Sequence, residues 1–449
     1  MKKFSFMIVC LVCVCFASYA SASLSDGLVA YYPFNGNAYD ASGNHNNGLV
    51  RGPSLTKDRF GNSNSAYLFD GQRDYIEVPD SDLLDIKKDI SITGWFKVNS
   101  FSSEWLTIIN KAASDSNDTF EISINRSKYL HFPLMLGAGN RTAYNTTNIV
   151  MQRKWHFFAV VYSGEEVRMY IDGKLNRSYV VRNKPLHTND HNLIIGAEKE
   201  HVNGPHFFNG IIDDIRLYNR AISASEASKL YAIKNIALYK PIRLNGNFFQ
   251  GGWHSAVTPK TRVDIIPTDN VFFPEHHEWD INTIWWSDRN SYITIDLDNI
   301  YWIESVILQG DCNDNYQISV HKYDSPQNIW TPLCIPENKP EWWGMKTSPQ
   351  VVLKKFILAD AIKIQAVGGD NLFSIGEIQV FGYKPTISGC VTLGNLTLEQ
   401  SSATLIQSGE IFQKRALSKN GCYFFDSFAP GKPFSIITRK SDAAPLEAK

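Results

Sequence analysis

The sequence predicts an all-β fold that is divided into three successive β units. Short runs in which apolar and polar residues alternate recur along the chain, and clusters of Gly, Asn, Asp and Pro separate them, as between antiparallel strands. Only one segment carries convincing helix signals. Because 449 residues exceed the size of a single hydrophobic core, we expect the units to span residues 23–232, 235–383 and 386–440, followed by a polar tail at 441–449.

Residues 1–22 have the order of a secretory signal peptide. Lys2 and Lys3 precede an apolar run over residues 4–16, and small residues follow up to Ala22. A membrane anchor is the alternative, but the run is too short to span a bilayer comfortably. We therefore expect cleavage near Ala22 and a protein that is secreted or displayed at the cell surface.

Composition excludes two classes of function. Without residues 1–22 the chain has 42 basic and 45 acidic residues, a formal charge of −3, so bulk electrostatics would not recruit nucleic acid. No later stretch is apolar enough for a transmembrane helix. Eight of the eleven Trp residues lie between Trp253 and Trp343, which supports a separate middle unit.

Four cysteines remain after the signal peptide, and they fall as two neighbouring pairs in sequence. Cys312 would pair with Cys334 and Cys390 with Cys422. Four cysteines allow three pairings, and one bridge in each unit is the simplest in an oxidising compartment. Buried thiols are the alternative.

The first unit has the pattern of an antiparallel sandwich. Predicted strands cover 66–69, 75–78, 90–96, 155–162 and 167–171. A tight hairpin is expected at Asp172-Gly173, and a short helix is expected to begin at Ser223, which has Glu226 three residues later as a capping box.

The motifs of this unit closely resemble the concanavalin A-like, laminin-G-type domain of bacterial surface and secreted proteins. They are the opening segment 27–44, Phe69-Asp70-Gly71 with the residues up to Ile76, Trp155-His156, Tyr170-Ile171-Asp172-Gly173 and the closing segment 210–223. The resemblance implies a jelly-roll sandwich with a structural calcium ion on its convex side. Its ligands would be Asp213, Asp40 and the carbonyls near Gly71, whose hard oxygens suit calcium. The alternative is that Asp40 and Asp213 cap turns through hydrogen bonds to the backbone.

The same fold includes family 16 glucanases, whose Glu-x-Asp-x-x-Glu strand supplies two catalytic carboxylates. This chain has no such triplet, because Glu121 is followed by Ser123 and Asn125 on the same strand face. A single carboxylate cannot serve as both nucleophile and proton donor. The sequence therefore predicts no hydrolase activity in this unit.

Sugar recognition by the first unit would use its concave face. Aromatic faces stack on sugar rings, and Asn and Arg bond sugar hydroxyls. The candidates lie in polar surroundings and are Trp105, His131, Arg141 and Tyr144. Ordinary loop positions are the alternative for each of them, while Trp95 and Trp155 lie in apolar runs and are expected in the core.

The second unit resembles the discoidin or coagulation factor C-type domain, a galactose-binding-like β-barrel. The resemblance rests on the segment Asn235–Pro241, Trp285-Trp286 before a strand at 292–297, and Ser374-Ile375-Gly376-Glu377 before the last strand. It implies ligand loops at one end of the barrel, which would present Trp253, His254, Asp311, Asp314, Trp342 and Trp343. Packing of Trp342 and Trp343 on the barrel rim is the alternative.

The resemblance also implies a calcium ion held by Asp269 and Glu377, with pairing to nearby Lys or Arg as the alternative. One member of Trp285-Trp286 is expected in the core. The third unit looks like a carboxypeptidase-regulatory-like β domain, too small to carry a large core.

Together these features predict a secreted, non-enzymatic, calcium-stabilised multidomain protein that binds extracellular glycans or glycoproteins through lectin-like modules. An adhesive or structural surface protein that binds other proteins is the second hypothesis. An accessory polysaccharide-active enzyme is the third. The concentration of Trp in the middle unit favours sugars over a flat protein contact.

Overall fold

The computed structural model describes most of the chain between residues 24 and 385, and five strands beyond it. The gaps are residues 112–118, 138–139, 148–149, 182–183, 200–204, 251–265, 270–271, 273–282, 323–325, 327–328, 335–343 and 349, and beyond 385 only 387–390, 402–407, 410–416, 422–425 and 434–439 are described. The predicted signal peptide, the tail, Trp253, His254, Trp342 and Trp343 therefore lie outside the described residues. No helix among the described residues is long and apolar enough to cross a membrane.

The first unit consists of strands and one α-helix at its end. In chain order these are β1 (Leu28–Tyr32), β2 (Leu49–Arg51), β3 (Ser54–Thr56), β4 (Ala66–Asp70), β5 (Tyr75–Val78), β6 (Ile90–Val98), β7 (Trp105–Lys111), β8 (Phe120–Asn125), β9 (Leu130–Leu136), β10 (Asn140–Asn145), β11 (Trp155–Tyr162), β12 (Glu166–Ile171), β13 (Lys174–Val180), β14 (Leu193–Ile195), β15 (Ala197–Glu198), β16 (His206–Phe207), β17 (Asn209–Tyr218) and α1 (Ala224–Ala232).

Two antiparallel sheets of this unit enclose its core. Sheet A has the order β13-β12-β11-β6-β17-β4-β3 with β1 also paired to β17, and sheet B has the order β10-β9-β8-β7-β14-β5-β2. Alternate residues of both sheets fill the space between them, among them Phe96, Ile122 and Phe158. The predicted all-β sandwich is confirmed.

Local signals in the sequence place two features correctly. Asp172 and Gly173 both have positive φ, 49° and 74°, as the tight turn between β12 and β13 requires. Ser223 caps α1 by accepting a hydrogen bond from the Glu226 N–H, and the Glu226 side chain accepts one from the Ser223 N–H. The predicted hairpin and capping box are both confirmed.

The second unit is built on one branched antiparallel sheet. Its elements are β18 (Lys234–Asn235), β19 (Ile242–Asn245), β20 (Phe249–Gln250), the 3₁₀ turn η1 (Ile266–Thr268), β21 (Ile284–Trp286), β22 (Tyr292–Asp311), β23 (Asn315–Lys322), β24 (Trp330–Cys334), β25 (Met345–Thr347), β26 (Val351–Gly368) and β27 (Phe373–Tyr383).

The long strand β22 organises that sheet, because it pairs with β19, β25, β26 and β27 along its length. Register shifts after Asp296 and Ile303 let one strand change partners. The described strands do not close into a complete barrel. Trp286 is fully buried in the core of this unit and Trp285 is half-buried, so one member of the pair is in the core as predicted.

Beyond residue 386 the described strands form two small sheets. They are β28 (Ile387–Cys390), β29 (Ser402–Gln407), β30 (Glu410–Ala416), β31 (Cys422–Phe425) and β32 (Phe434–Arg439), with β28 paired to β31 and β29 between β30 and β32. Cys390 stands directly opposite Cys422 in the β28–β31 register. Opposite residues of an antiparallel pair have the Cα separation that a disulfide needs. The backbone therefore permits this disulfide, which stays a prediction.

The first two units share a buried junction. Residues of β6, β11, β17 and α1 pack in one apolar cluster with Ile307, Phe381 and Tyr383 of the second unit. Within it, Arg216 of β17 donates a hydrogen bond to Glu304 of β22 at 3.0 Å, and both side chains are almost fully buried. The junction therefore joins the two units by apolar packing and by a desolvated ion pair.

Candidate ligand-binding face

The face of sheet B that points away from the core carries a row of polar side chains. On β8 the core receives Phe120, Ile122 and Ile124, so Glu121 and Ser123 project from the opposite face. Cross-strand pairing continues the row, because Ser123 is opposite Thr107 on β7 and His131 on β9. We call Trp105, Thr107, Glu121, Ser123, His131 and Arg141 the outer-face site.

The middle of the outer-face site is buried although its side chains are polar. Thr107, Glu121 and Ser123 are buried beside the short β15–β16 ribbon, which packs against β7. Thr107 donates to Glu121 at 3.3 Å, whereas the Ser123 hydroxyl has no hydrogen-bond partner among the described residues. A buried polar atom without a partner is costly, so this floor is suited to a polar ligand or to water.

The ribbon adds an acidic side chain to the floor. Glu198 of β15 and His206 of β16 are both buried, and Glu198 Oε2 lies 3.0 Å from His206 Nδ1. Glu198 Oε1 has no hydrogen-bond partner among the described residues. Sequence patterns did not single out either residue, because each belongs to a two-residue strand that has no periodicity of its own.

One end of the outer-face site is open. The half-buried Trp105 ring lies 4.6 Å from the His131 ring, and His131 Nδ1 is 2.7 Å from Asn145 Oδ1. Burial lowers the pKa of His131, so the imidazole is neutral at pH 7. Arg141 reaches across from β10 to Glu121 at 3.1 Å. Three of the four predicted residues, Trp105, His131 and Arg141, therefore come together here.

Tyr144 does not belong to the site, which corrects the prediction. Its side chain is buried in the core between the sheets, with its ring 5.2 Å from that of Tyr179. The reason is the alternation of β10, on which Asn145 pairs with the outward-facing His131 and Tyr144 points the other way.

The predicted calcium ligands of the first unit have other partners in the structure. The Asp40 carboxylate accepts hydrogen bonds from the N–H groups of Tyr31, Ser42 and Asn46 and from the Ser42 hydroxyl. Gly71 has a φ of 76° and lies against Asn209, so it serves a tight turn. Asp40 thus has the turn-capping role that the sequence left open as the alternative.

Asp213 is bound to an arginine. Arg59 Nη1 lies 2.9 Å from Asp213 and 2.6 Å from Asp214, and all three side chains are largely buried. Burial and the neighbouring Asp214 raise the pKa of Asp213 well above its usual range, while Arg59 opposes that shift. The Arg59 guanidinium supplies the positive charge that a calcium ion would supply in the family that the sequence resembles. Asp40, Gly71 and Asp213 therefore do not fit as a calcium site here.

Among the described residues, one acidic group is close enough to hold a metal ion. It consists of Asp80, Asp85 and Asp190. The buried ammonium of Lys111 contacts Asp80, lies 3.6 Å from Asp85 and donates to the His191 carbonyl at 2.9 Å. Asp80 and Asp85 are therefore already engaged in an ion-pair network with Lys111.

Asp311, the last residue of β22, and Asp314 in the turn after it are buried, which corrects their predicted role as ligand contacts. Asp311 and Asp314 are 6% and 1% exposed, and Asp314 accepts a hydrogen bond from the Tyr316 hydroxyl at 3.0 Å. Burial, together with the nearby Asp311 charge, raises the pKa of Asp314 to about 8. Carboxyl groups that are buried to this extent are not presented to a ligand in solution.

Asp269 and Glu377 come from adjacent elements, because η1 packs against β27. Asp269 follows η1 and is half-buried, while Glu377 is fully buried on β27. Two carboxylates from neighbouring elements are compatible with calcium, and that site stays a prediction.

Cys312 and Cys334 carry separate thiols, which corrects the predicted disulfide. Cys312 follows β22, where its N–H donates to the Gly344 carbonyl. Cys334 ends β24 opposite Ile318 of β23. The two residues are therefore held by different strand pairings, which proximity in sequence does not reveal.

Comparison with known families bears on the first unit. Residues 70–228, from the end of β4 through most of α1, match the model of the concanavalin A-like lectin/glucanases superfamily of laminin-G type. The predicted laminin-G-type resemblance is confirmed for this part of the chain. None of the curated proteins matches the sequence.

Several solved structures are distantly similar. Domain 4 of an extracellular GH43 arabinanase from Geobacillus stearothermophilus, solved with arabinotriose, is 20% identical, with 45% of this chain and 96% of that chain covered and a TM-score of 0.36. The binding domain of Paraclostridial Mosquitocidal Protein 1 is 13% identical (79% and 100% covered, TM-score 0.39). The receptor-binding domain of botulinum neurotoxin mosaic serotype C/D is 15% identical (63% and 74%, TM-score 0.38). TM-scores below 0.5 establish no common function.

Proposed function

We propose that the protein is a secreted, non-enzymatic carbohydrate-binding protein and that the open end of the outer-face site holds the sugar. One observation carries this proposal: a half-buried Trp105 ring stands beside His131 and Arg141 at the rim of a buried polar floor. Sugar rings present C–H faces that stack on indole, and their hydroxyls exchange hydrogen bonds with imidazole and guanidinium groups.

The state of the acidic residues supports binding over hydrolysis. A glycosidase uses one carboxyl group as a proton donor and a second as nucleophile or base. Glu121 already accepts hydrogen bonds from Arg141 and Thr107, and Glu198 is engaged with His206. Both carboxylates are therefore already held by neighbouring side chains.

Secretion and calcium are further parts of the proposal. The charged, apolar and small-residue order of residues 1–22 supports export. Calcium would be held by Asp269 and Glu377 of the second unit, since in the first unit Arg59 binds Asp213 and Lys111 binds Asp85. Chelation is then expected to lower the melting temperature of the second unit only.

A glycan array with wild-type protein and Trp105→Ala tests the sugar site. We expect wild type to bind a defined set of glycans and the variant to lose about tenfold or more of that affinity, since losing one stacked ring removes roughly 1–3 kcal/mol. Trp330→Ala is the matched control, because Trp330 is also half-buried and packs on a histidine, His321, but in the second unit. Absence of glycan binding, or equal loss in both variants, would refute the proposal.

A further inference from the structure

A second concave surface of the first unit lies at the β12–β13 hairpin. It is a groove of about 980 Å³ that the hairpin, the segment 150–152 before β11, the β8–β9 turn and Tyr231 of α1 enclose. That volume is typical of ligand pockets. The groove shares no lining residue with the outer-face site.

The groove gathers exposed apolar side chains. Met151, Leu175 and Tyr231 line it and are 52%, 54% and 41% exposed. Exposed large apolar residues are common singly, but a cluster of them in one concavity marks an interaction site. They are separated by polar residues such as Gln152 and Asn176, so the wall is made of apolar islands and not of a continuous apolar surface.

The groove also carries the positive charges of two exposed lysines. Lys128 and Lys174 line it, and neither has an ion-pair partner among the described residues. Its carboxylate, Asp172, is already bound to His156 at 3.1 Å and to the Phe157 N–H at 3.0 Å. Although burial acts in the opposite direction, these hydrogen bonds lower the pKa of Asp172.

The walls of the groove are held in place by contacts outside it. Asn176 exchanges hydrogen bonds with Thr147 and thereby ties β13 to the segment after β10. Tyr231 stacks on Trp95 at 5.5 Å, and Gly173 is so close to Tyr231 that a Cβ there would lie 2.8 Å from the ring. A preformed surface loses little conformational entropy on binding.

We propose that this groove binds an acidic saccharide, a sugar chain that carries carboxylate or sulfate groups. The anionic groups would contact Lys128 and Lys174, and the C–H faces of the sugar rings would lie on Met151, Leu175 and Tyr231. Apolar islands between polar groups match the alternation of C–H faces and hydroxyls on a sugar. An acyl chain would need a continuous apolar wall instead. This inference names an acidic ligand at a separate site and does not depend on sugar binding at Trp105.

Calorimetric titration of the full chain tests the inference with three hexasaccharide-sized probes. They are an oligogalacturonate, a sulfated dextran fragment and neutral maltohexaose. We expect the Lys128→Gln/Lys174→Gln variant to bind one or both acidic probes about tenfold more weakly than wild type, the effect of removing two exposed charge contacts. Comparison of the oligogalacturonate with the sulfated dextran fragment shows whether the groove prefers carboxylate or sulfate groups.

Lys87→Gln/Lys88→Gln is the matched control, because both residues are exposed and the net charge changes equally. It is expected to bind like wild type. Equal weakening in both variants would overturn the site, since the interaction would then follow net charge alone. Binding of polyglutamate without binding of either acidic saccharide would also overturn it, in favour of an acidic peptide. Trp105→Ala is expected to leave these affinities unchanged, so failure here and failure of the outer-face site are separable.

Discussion

Asp314 is a carboxyl group that the fold keeps out of water. Gly369, with a φ of 125°, packs so closely that a Cβ would lie 1.8 Å from Asp314 Oδ1, and Asp311, Asp370 and the Tyr316 hydroxyl surround the group. Ionisation in such a place is unfavourable because the charge loses its hydration and meets other carboxylates. With its pKa near 8, the acid is largely neutral at pH 7.

This burial predicts a pH-dependent stability. Between about pH 4, where the unfolded side chain titrates, and about pH 8, the native state binds one more proton than the unfolded state. Stability of the second unit therefore falls as pH rises through this window. Asp314→Asn should remove the slope and exceed wild type at pH 9 by up to about 5 kcal/mol.

Urea denaturation at pH 5 and pH 9 checks this prediction, with Trp fluorescence as the probe because eight of the eleven Trp residues lie between 253 and 343. Asp288→Asn, which changes an exposed carboxylate of the same unit, is expected to have little effect. Identical pH profiles for Asp314→Asn and wild type would contradict the assignment.

Sequence patterns predicted the burial of some single residues correctly and that of others incorrectly. The apolar run around Trp95 predicts its burial. In the adjacent residues Trp285 and Trp286, the alternation of side chains along a strand predicts that one of the two is buried. Asp311 and Asp314 are polar and lie at the end of β22 and in the turn after it, so composition indicates exposure. Only tertiary packing of the β26–β27 turn decides otherwise, and no local signal reports it.

At the scale of the element, α1 begins with a capping box. The Ser223 hydroxyl and the Glu226 carboxylate satisfy backbone N–H groups that the first helical turn leaves without partners. Ser223→Ala should cost about 1 kcal/mol of unfolding free energy, which chemical denaturation measures. Ser225→Ala, at an exposed position of the same turn, should be neutral or slightly stabilising; equal losses would argue against capping.

Elements that local chemistry specifies were predicted well. The Asp172-Gly173 turn, the capped helix and the alternating strands all depend on neighbouring residues. The pairing of Cys312 with Cys334 was wrong, because the two residues are held by different backbone pairings that the sequence does not reveal. Likewise the ribbon that brings Glu198 and His206 to the outer-face site is too short to carry a pattern.

At the scale of the whole molecule, the first two units are joined through Arg216 and Glu304. Arg216 also lies 3.9 Å from the Tyr31 ring and 3.9 Å from Asp214, and Glu304 accepts a second hydrogen bond from Ser305. Buried ion pairs gain little over apolar packing, but removing one partner leaves a desolvated charge. The junction is therefore sensitive to single substitutions.

Glu304→Gln should lower the unfolding free energy by about 3 kcal/mol and separate the unfolding of the two units into distinct calorimetric transitions. Differential scanning calorimetry measures both effects. Glu166→Gln removes the partner of Arg168 from a more exposed pair at 3.6 Å and is expected to cost less than about 1 kcal/mol. A single unshifted transition in Glu304→Gln would show that the pair does not couple the units.

Sequence alone assigned Asp213 to calcium because its motif resembles a family in which that position binds the ion. Arg59 is 154 residues away in the chain and occupies no recognisable motif. Packing between residues that are far apart in sequence decides whether the Asp213 carboxylate binds a metal ion or a guanidinium group. The strand-rich character depends on composition and periodicity instead, so it can be predicted without knowledge of that packing.

Strand β17 closes the first unit in a way that bears on its synthesis. It is the last strand of the sandwich in sequence, yet it lies in the interior of sheet A between β6 and β4 and also pairs with β1. Until residue 218 has left the ribosome, β6 and β4 have unpaired edges, which attract strands of other chains. A fragment that ends before Asn209 would therefore aggregate, even though it contains most of the strands of the sandwich.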